Sequence, residues 1–265
     1  MDSMSSPPLI CDLPSIVPAD DWSWKPIGCQ GHLTDGFWLG TDEHGQRWLA
    51  KVRGREYGLR ELAFARLAQR LGWSCQSSIF VTLPEHCPIR TANKGADRIQ
   101  LVHWYYEEAA TSSAQVRAVL DPIDEALNSR TTHPLDVIKS APIASFIDWP
   151  RSDVAAALFG AGEVCGRLLT AAMSHVIIDS EQMFASKPDS TLSTCWLQAD
   201  LTTGGRKGLD LTLEVCESIA RLSSSEFSAF VKAPPYITFP LQQPIMPVLL
   251  DAKRVARGVL KRGHP

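Results

Sequence analysis

Segments in which apolar and polar residues alternate make up most of the first hundred residues, a pattern typical of β-strands with one buried face. The predicted strands lie in KPIGCQGHLT, DGFWLGTDEHGQRWLAKV, SSIFVTLP and RIQLVHWYYEE. The stretch DEHG predicts a hairpin turn before the strand that contains Lys51. Apolar residues then recur every four positions from Leu59 to Leu71, which predicts a helix that ends at Gly72. The predicted order is therefore β-β-β-α-β-β.

From about Thr111 the pattern becomes mainly helical. The predicted helices lie in SSAQVRAVLDPIDEALN, SDVAAALFGAGEVCGRLLTAAMSHVI, LDLTLEVCESIARL, SSEFSAFVK and LLDAKRVARGVLKRG. The second of these is a long apolar run that begins at a cap formed by Ser152 or Asp153. We also expect a small strand pair around MFAS and STCWLQAD.

These patterns divide the chain into three parts. Residues 1–20 are rich in Ser and Pro and predict a loosely ordered lead-in. Residues 21–108 predict a β-rich lobe of five strands and one helix, and residues 109–265 predict a helical lobe. The fold class is therefore α+β, with two lobes and a cleft between them.

Composition narrows the classes of partner. The 265 residues carry a formal net charge of −3, so no global basic field predicts binding to nucleic acid or to an anionic membrane. The longest apolar runs, such as ASFIDWP and SHVIID, are far shorter than the roughly 18 residues of a membrane helix. The first residues, MDSMSSPPLI, lack the features of a secretory signal, which favours a cytoplasmic protein.

Lys51 and Glu61 are the first candidates for chemistry, since one lies within a predicted strand and the other near the start of the next helix. One interpretation is structural: Glu61 suits the positive end of the helix dipole, and Lys51 extends into solvent from an edge strand. The other is functional, with the lysine and the glutamate meeting beside a phosphate group. The two residues alone leave both interpretations open.

The sequence around them resembles a known family. RELAFARLAQRLGW resembles the N-E-x-L-A-x-x-L-A-x-x-L-G helix of the HipA-like kinases, relatives of phosphatidylinositol kinases, with Arg60 in place of the Asn. FWLGTDEHGQRWLAKV is similar to the strand-turn-strand that precedes that helix, and the similarity is best over residues 27–83. This resemblance implies a bilobal protein-kinase-like fold in which Lys51 holds the phosphates of ATP and Glu61 holds Lys51.

The resemblance also implies further contacts with the nucleotide. Tyr105, Tyr106 and Glu107, which follow RIQLVHW, would form a hinge that contacts adenine. In IGCQGHLTDG, Gly28 and Gly31 are the candidates for contact with phosphate, although the spacing is not G-x-G-x-x-G.

Two acids are candidates for metal chemistry with Mg²⁺, which prefers oxygen ligands. The segment HVIIDSEQMFAS resembles the family's D-R-H-x-x-N loop and implies that Asp179 positions the acceptor hydroxyl. CWLQAD resembles a W-L-I-D-H-G strand end and implies that Asp200 is the main magnesium ligand. Phe184 stands where the first motif has its Asn, so Glu181 or Gln182 would have to supply the missing oxygen.

Three functions follow from this resemblance. The first is an ATP- and Mg²⁺-dependent phosphotransferase that acts on a Ser or Thr hydroxyl of a protein. The second is a degenerate kinase that binds nucleotide or a protein partner without turnover, which the replacement of the Asn by Phe184 favours. The third is a small-molecule kinase of the aminoglycoside type. Its H-x-D-x-x-x-x-N loop fits less well, because His175 lies four residues before Asp179 rather than two.

Overall fold

The computed structural model of the chain describes residues 16–27, 37–52, 54–93, 97–110, 112–129, 131–161, 165–189, 191–225, 228 and 245–264. A six-stranded sheet occupies the N-terminal part of these residues. Its strands are β1 (Ile16–Pro18), β2 (Ser23–Pro26), β3 (Phe37–Thr41), β4 (Arg47–Lys51), β5 (Ser78–Thr82) and β6 (Ile99–Trp104). Five of the six lie within residues 21–108, whereas β1 lies inside the stretch predicted to be a lead-in.

The strand order in the sheet is β1-β5-β6-β4-β3-β2, and β1 pairs with β5 in parallel. The predicted hairpin is confirmed, since β3 and β4 pair in antiparallel register from Phe37 opposite Lys51 to Thr41 opposite Arg47. Asp42 closes the turn, because its carboxylate accepts hydrogen bonds from the backbone N–H groups of two turn residues. Strand β4 therefore lies in the interior of the sheet, between β6 and β3.

The two faces of the sheet are covered differently. One face carries a tryptophan cluster in which the Trp22 ring stacks on Trp48 with centroids 5.9 Å apart. Ala50 and Val52 belong to this cluster, so the side chain of Lys51 lies on the opposite face. That face is covered by α1 (Arg55–Arg70), whose Leu59, Leu62 and Leu67 join the main core. A short helix, α2 (Pro88–Ala92), lies between β5 and β6.

The C-terminal part is helical apart from one hairpin. Its elements are α3 (Ala114–Asn128), α4 (Pro134–Ser140), α5 (Asp148–Leu158), β7 (Gly166–Leu169), β8 (His175–Ile178), α6 (Cys195–Thr203), α7 (Lys207–Arg221) and α8 (Ile245–Arg262). The helices predicted in SSAQVRAVLDPIDEALN, LDLTLEVCESIARL and LLDAKRVARGVLKRG are confirmed as α3, α7 and α8. The one predicted in SSEFSAFVK falls largely outside the described residues. No helix of the described residues is long and apolar enough to cross a membrane.

The long helix predicted from Ser152 to Ile177 is wrong. Helix α5 ends at Leu158, and the antiparallel hairpin of β7 and β8 follows. The break is at Gly160, which has φ +62 and whose Cβ, if it had one, would lie 2.1 Å from the carbonyl oxygen of Ser186. A side chain cannot be accommodated there, so the glycine is required.

The strand pair predicted around MFAS and STCWLQAD is also wrong. MFAS lies in turns and bends, and residues 195–203 form α6. The Thr194 hydroxyl caps this helix by accepting a hydrogen bond from the backbone N–H of Leu197, and Gly204 ends it with φ 70. Asp200 is consequently a helical residue and not the end of a strand.

Candidate nucleotide and metal site

Lys51 and Glu61 meet in the protein interior. Their residues are 7% and 4% exposed, and the Lys51 ammonium lies 3.8 Å from a carboxylate oxygen of Glu61. Glu61 lies in the second turn of α1, because the helix begins at Arg55, one turn earlier than predicted. The acid in the first turn is Glu56, which forms an ion pair with Arg60. The structural interpretation of Lys51 and Glu61 as surface charges is therefore wrong.

Asp179 is the second acid at Lys51. It follows β8 directly, and its carboxylate accepts a hydrogen bond from the Lys51 ammonium. Its backbone is in the left-handed region, with φ 50, a conformation that Asp tolerates better than most residues. The place of its carboxylate depends on Gly166 in β7, where a Cβ would lie 2.8 Å from Asp179 Oδ2.

A third carboxylate completes the cluster. The ligand oxygens of Glu61, Asp179 and Glu181 lie within 4.8 Å of one another. Carboxylate groups this close to one another repel each other, and a divalent cation between them relieves that repulsion. Mg²⁺ prefers oxygen ligands of this kind. The residues present therefore fit a magnesium ion. Gln182, predicted as a ligand, is half-buried in the turn that follows Glu181.

The sheet supports Glu61 from behind. His103 of β6 is 1% exposed, and its Nε2 lies 3.6 Å from the second carboxylate oxygen of Glu61. Its Nδ1 lies 2.8 Å from the Ser78 hydroxyl on β5. His103 was not among the site residues predicted from the sequence. The two-residue period of a strand places His103 on the same face as the apolar residues Ile99 and Leu101. A histidine on such a buried face needs a polar partner, and this pattern could have identified it.

The predicted hinge connects the sheet to the hairpin that carries Asp179. The backbone N–H of Ala109 donates to Leu169 (2.8 Å), and that of Ala171 donates to the Glu107 carbonyl (2.7 Å). Tyr106 is half-buried, and burial raises the pKa of its phenol to about 12. The guanidinium of Arg47 lies over the Tyr105 ring, 4.8 Å from its centroid. Gly28 and Gly31 lie outside the described residues.

Among the described residues, Asp200 is not part of this carboxylate cluster. Its carboxylate accepts hydrogen bonds from the backbone N–H groups of Gly208 (3.0 Å) and Leu209 (2.7 Å), in the first turn of α7. It also lies 3.1 Å from Nε2 of His133. Asp200 is 8% exposed. Although it belongs to α6, its carboxylate caps the N-terminus of α7.

Gly166, at the start of the hairpin, is the residue that lies against Asp179. In protein kinases, the catalytic-loop Asn and the DFG Asp both hold magnesium, and the catalytic Asp precedes that Asn by five residues. The residue whose side chain would meet Asp179 from the preceding strand is Gly166, and five residues earlier stands Ala161. Neither can bind metal or accept a proton. Phe184 is fully buried against Phe159, with ring centroids 5.0 Å apart.

The similarity to known proteins lies in the fold. No protein-family model and no curated protein matches the sequence. Among solved structures, the chain is similar to the crystal structure of a Helicobacter pylori proinflammatory kinase, CtkA, with a TM-score of 0.58 and 12% sequence identity. The match covers 94% of this chain and 98% of that chain. The predicted fold class is confirmed: the chain has a mixed α+β, kinase-like fold with a β-sheet N-terminal region and a helical C-terminal region.

Proposed function

We propose that this protein binds ATP together with Mg²⁺ between its sheet and its hairpin, and that it is a phosphotransferase of the HipA-like type. The acceptor would be a Ser or Thr hydroxyl of a protein, as the resemblance implies. The observation that supports the proposal is the buried contact of Lys51 with both Glu61 and Asp179. These residues come from the sheet, from α1 and from the end of the hairpin. Charged groups brought together from distant parts of a chain and partly buried are typical of functional sites.

Each residue has a distinct role in this proposal. Lys51 binds the phosphates of ATP, and Glu61 keeps the ammonium group in place. Asp179 serves as the metal ligand rather than the acceptor-positioning acid, because it lies beside the lysine that contacts the phosphates. Glu181 is the second candidate ligand. When bound, the ion neutralises charge that develops on the phosphate oxygens during transfer.

A second function is a nucleotide-binding module that does not transfer phosphate. Gly166 and Ala161 favour it, because they stand where a kinase would have a metal-binding amide and a proton-accepting carboxylate. Loss of one such group lowers rates by about two to four orders of magnitude. Nucleotide binding requires only Lys51, Glu61 and Asp179, so it is common to both functions.

Incubation with γ-labelled ATP and Mg²⁺ separates the two functions. A phosphotransferase transfers label to itself or to added protein, and the Lys51→Met and Asp179→Asn variants lose that transfer. A module shows a higher melting temperature with ATP and Mg²⁺ but no transfer. The absence of both responses would contradict both functions. Lys253→Met is the matched control, because Lys253 is also buried, at 4% exposure, but bonds to Leu222 and Ser224.

A further inference from the structure

His103 lies at the end of a polar chain that reaches the nucleotide site from the interior of the sheet. Ser78 contacts Nδ1 of the imidazole at 2.8 Å, whereas Nε2 faces Glu61 at 3.6 Å. The two carboxylate oxygens of Glu61 therefore face different partners: one faces Lys51, and the other faces His103. The Ser78 hydroxyl has a second possible acceptor in the Gln76 carbonyl oxygen, but that distance is 3.4 Å, against 2.8 Å to Nδ1. When the hydroxyl donates to Nδ1, the neutral ring carries its proton on Nε2 and directs it toward Glu61.

Packing alone does not fix Glu61. A small pocket adjoins its side chain, and much of its lining consists of glycines and apolar residues, namely Gly54, Gly58, Phe80, Ile99 and Leu101. Apolar side chains and glycines give a carboxylate no polar partner, so the orientation of Glu61 depends on its charged and polar neighbours. The charged and polar residues that line this pocket besides Glu61 are Lys51, Arg55 and His103, and Arg55 forms an ion pair with Asp97.

MgATP would change one of these partners. In the present structure Lys51 contacts both Glu61 and Asp179. If Asp179 binds a metal ion and Lys51 binds a phosphate, the ion pair between Lys51 and Glu61 weakens, because the ammonium group then also contacts the nucleotide. The imidazole of His103 is then the contact that does not change. A separation of 3.6 Å is slightly longer than a hydrogen bond, and such contacts often shorten when the ligand binds.

We propose that His103 is a positioning residue that holds Glu61 toward Lys51, so that the lysine is oriented for MgATP. This inference rests on the proposed function. His103 does not touch the nucleotide; it acts through Glu61, in the way that outer residues orient the ligands of a metal. Loss of such a contact costs about 10- to 100-fold in affinity or activity in comparable sites.

The test compares MgATP affinity, measured by calorimetry, in five variants. His103→Leu fills a similar volume without a donor and is expected to weaken MgATP binding about tenfold or more. His103→Gln retains a side-chain N–H and is expected to recover most of that affinity. In a Glu61→Gln background, the additional change His103→Leu is expected to have little further effect, because the residue through which it acts is already altered. Ser152→Ala removes a buried hydrogen bond to Trp149 and is the control.

Urea unfolding establishes that each variant is folded. If His103→Leu does not fold, Ser78→Ala serves in its place, with an expected loss of several-fold, since it removes the partner of Nδ1. Unchanged affinity in folded His103→Leu, or an equal loss in the Glu61→Gln background, overturns the positioning role while leaving the nucleotide site intact. Absence of MgATP binding by the unaltered protein refutes the proposed function itself, and the positioning role with it.

Discussion

Replacement of Asp200 distinguishes a structural acid from a catalytic one. In Asp200→Ala the backbone N–H groups of Gly208 and Leu209 lose their acceptor, and His133 loses its buried partner. A hydrogen bond to a charged group contributes about 1.5–3 kcal/mol, and loss of a helix cap costs about 0.5–2 kcal/mol. Because water can partly replace the carboxylate, we expect a total loss of about 2–4 kcal/mol. For a chain of 265 residues that corresponds to a fall in melting temperature of roughly 4–8 °C.

The assay is urea unfolding followed by tryptophan fluorescence, together with calorimetry of MgATP binding below the transition. Asp200→Ala is expected to lose stability and to keep its affinity for MgATP. The control is Asp210→Ala. Asp210 lies in the first turn of α7, and its side chain is 67% exposed. It should change stability by less than about 1 kcal/mol. Folded Asp200→Ala with lost MgATP binding would refute this reasoning and restore Asp200 as a metal ligand.

Three further predictions concern the hairpin and its surroundings. Gly166→Ala places a Cβ against Asp179 and should weaken MgATP binding measured by calorimetry about tenfold, whereas Gly258→Ala, on α8, should not. Burial raises the pKa of Asp153 from 3.8 to about 6, so stability is lost as the pH rises from about 3.8 to about 6, and the loss is complete above pH 6. Asp153→Asn should be about 1–3 kcal/mol more stable than the unaltered protein at pH 7 in urea unfolding, and equally stable below about pH 4. Burial lowers the pKa of His175 to about 4, so stability that is present above about pH 6.5 is lost as the pH falls toward 4. His175→Gln should remove that loss, and identical acid unfolding of both proteins would contradict it.

The N-terminal part of the fold follows from local patterns. Alternation predicted the strands, the four-residue spacing predicted α1, and DEHG predicted the turn that Asp42 closes. Lys51 was identifiable because a charged residue in an apolar strand is expensive unless it has a partner. What the sequence pattern could not supply is that Asp179, 128 positions away in the chain, is that partner. A contact over such a separation depends on tertiary packing.

The errors in the C-terminal part have identifiable causes. The run from Ser152 to Ile177 is apolar enough for a buried helix, and short apolar strands cannot be distinguished from helix by periodicity alone. Gly160 and Gly166 were the available signals, since one breaks the helix and the other makes room for Asp179. In α6, Thr194 and Gly204 flank the helix as its caps, and they would have predicted it had they been given more weight than the resemblance of CWLQAD to a strand end.

The positions of Asp179 and Asp200 in the fold bear on the roles that were predicted for them. Asp179 was predicted to position the acceptor and Asp200 to bind metal, but only Asp179 lies beside Lys51. The carboxylate that joins it is Glu181, which the resemblance offered only as a substitute for a missing Asn. Gly166 lies against Asp179, and neither Gly166 nor Ala161 has a side-chain group that binds a metal. The contact of Lys51 with both Glu61 and Asp179 is the main physical result.

Calorimetric titration of the protein with ATP, in the presence and absence of Mg²⁺, tests whether Lys51 and Asp179 form a site for MgATP. We expect saturable binding of ATP that is stronger with Mg²⁺. Lys51→Met should lose this binding, and in Asp179→Asn the affinity should no longer depend on Mg²⁺. Lys253→Met, a buried lysine elsewhere in the fold, should bind as the unaltered protein does. No binding, or binding that is indifferent to Lys51 and Asp179, would contradict the proposed site.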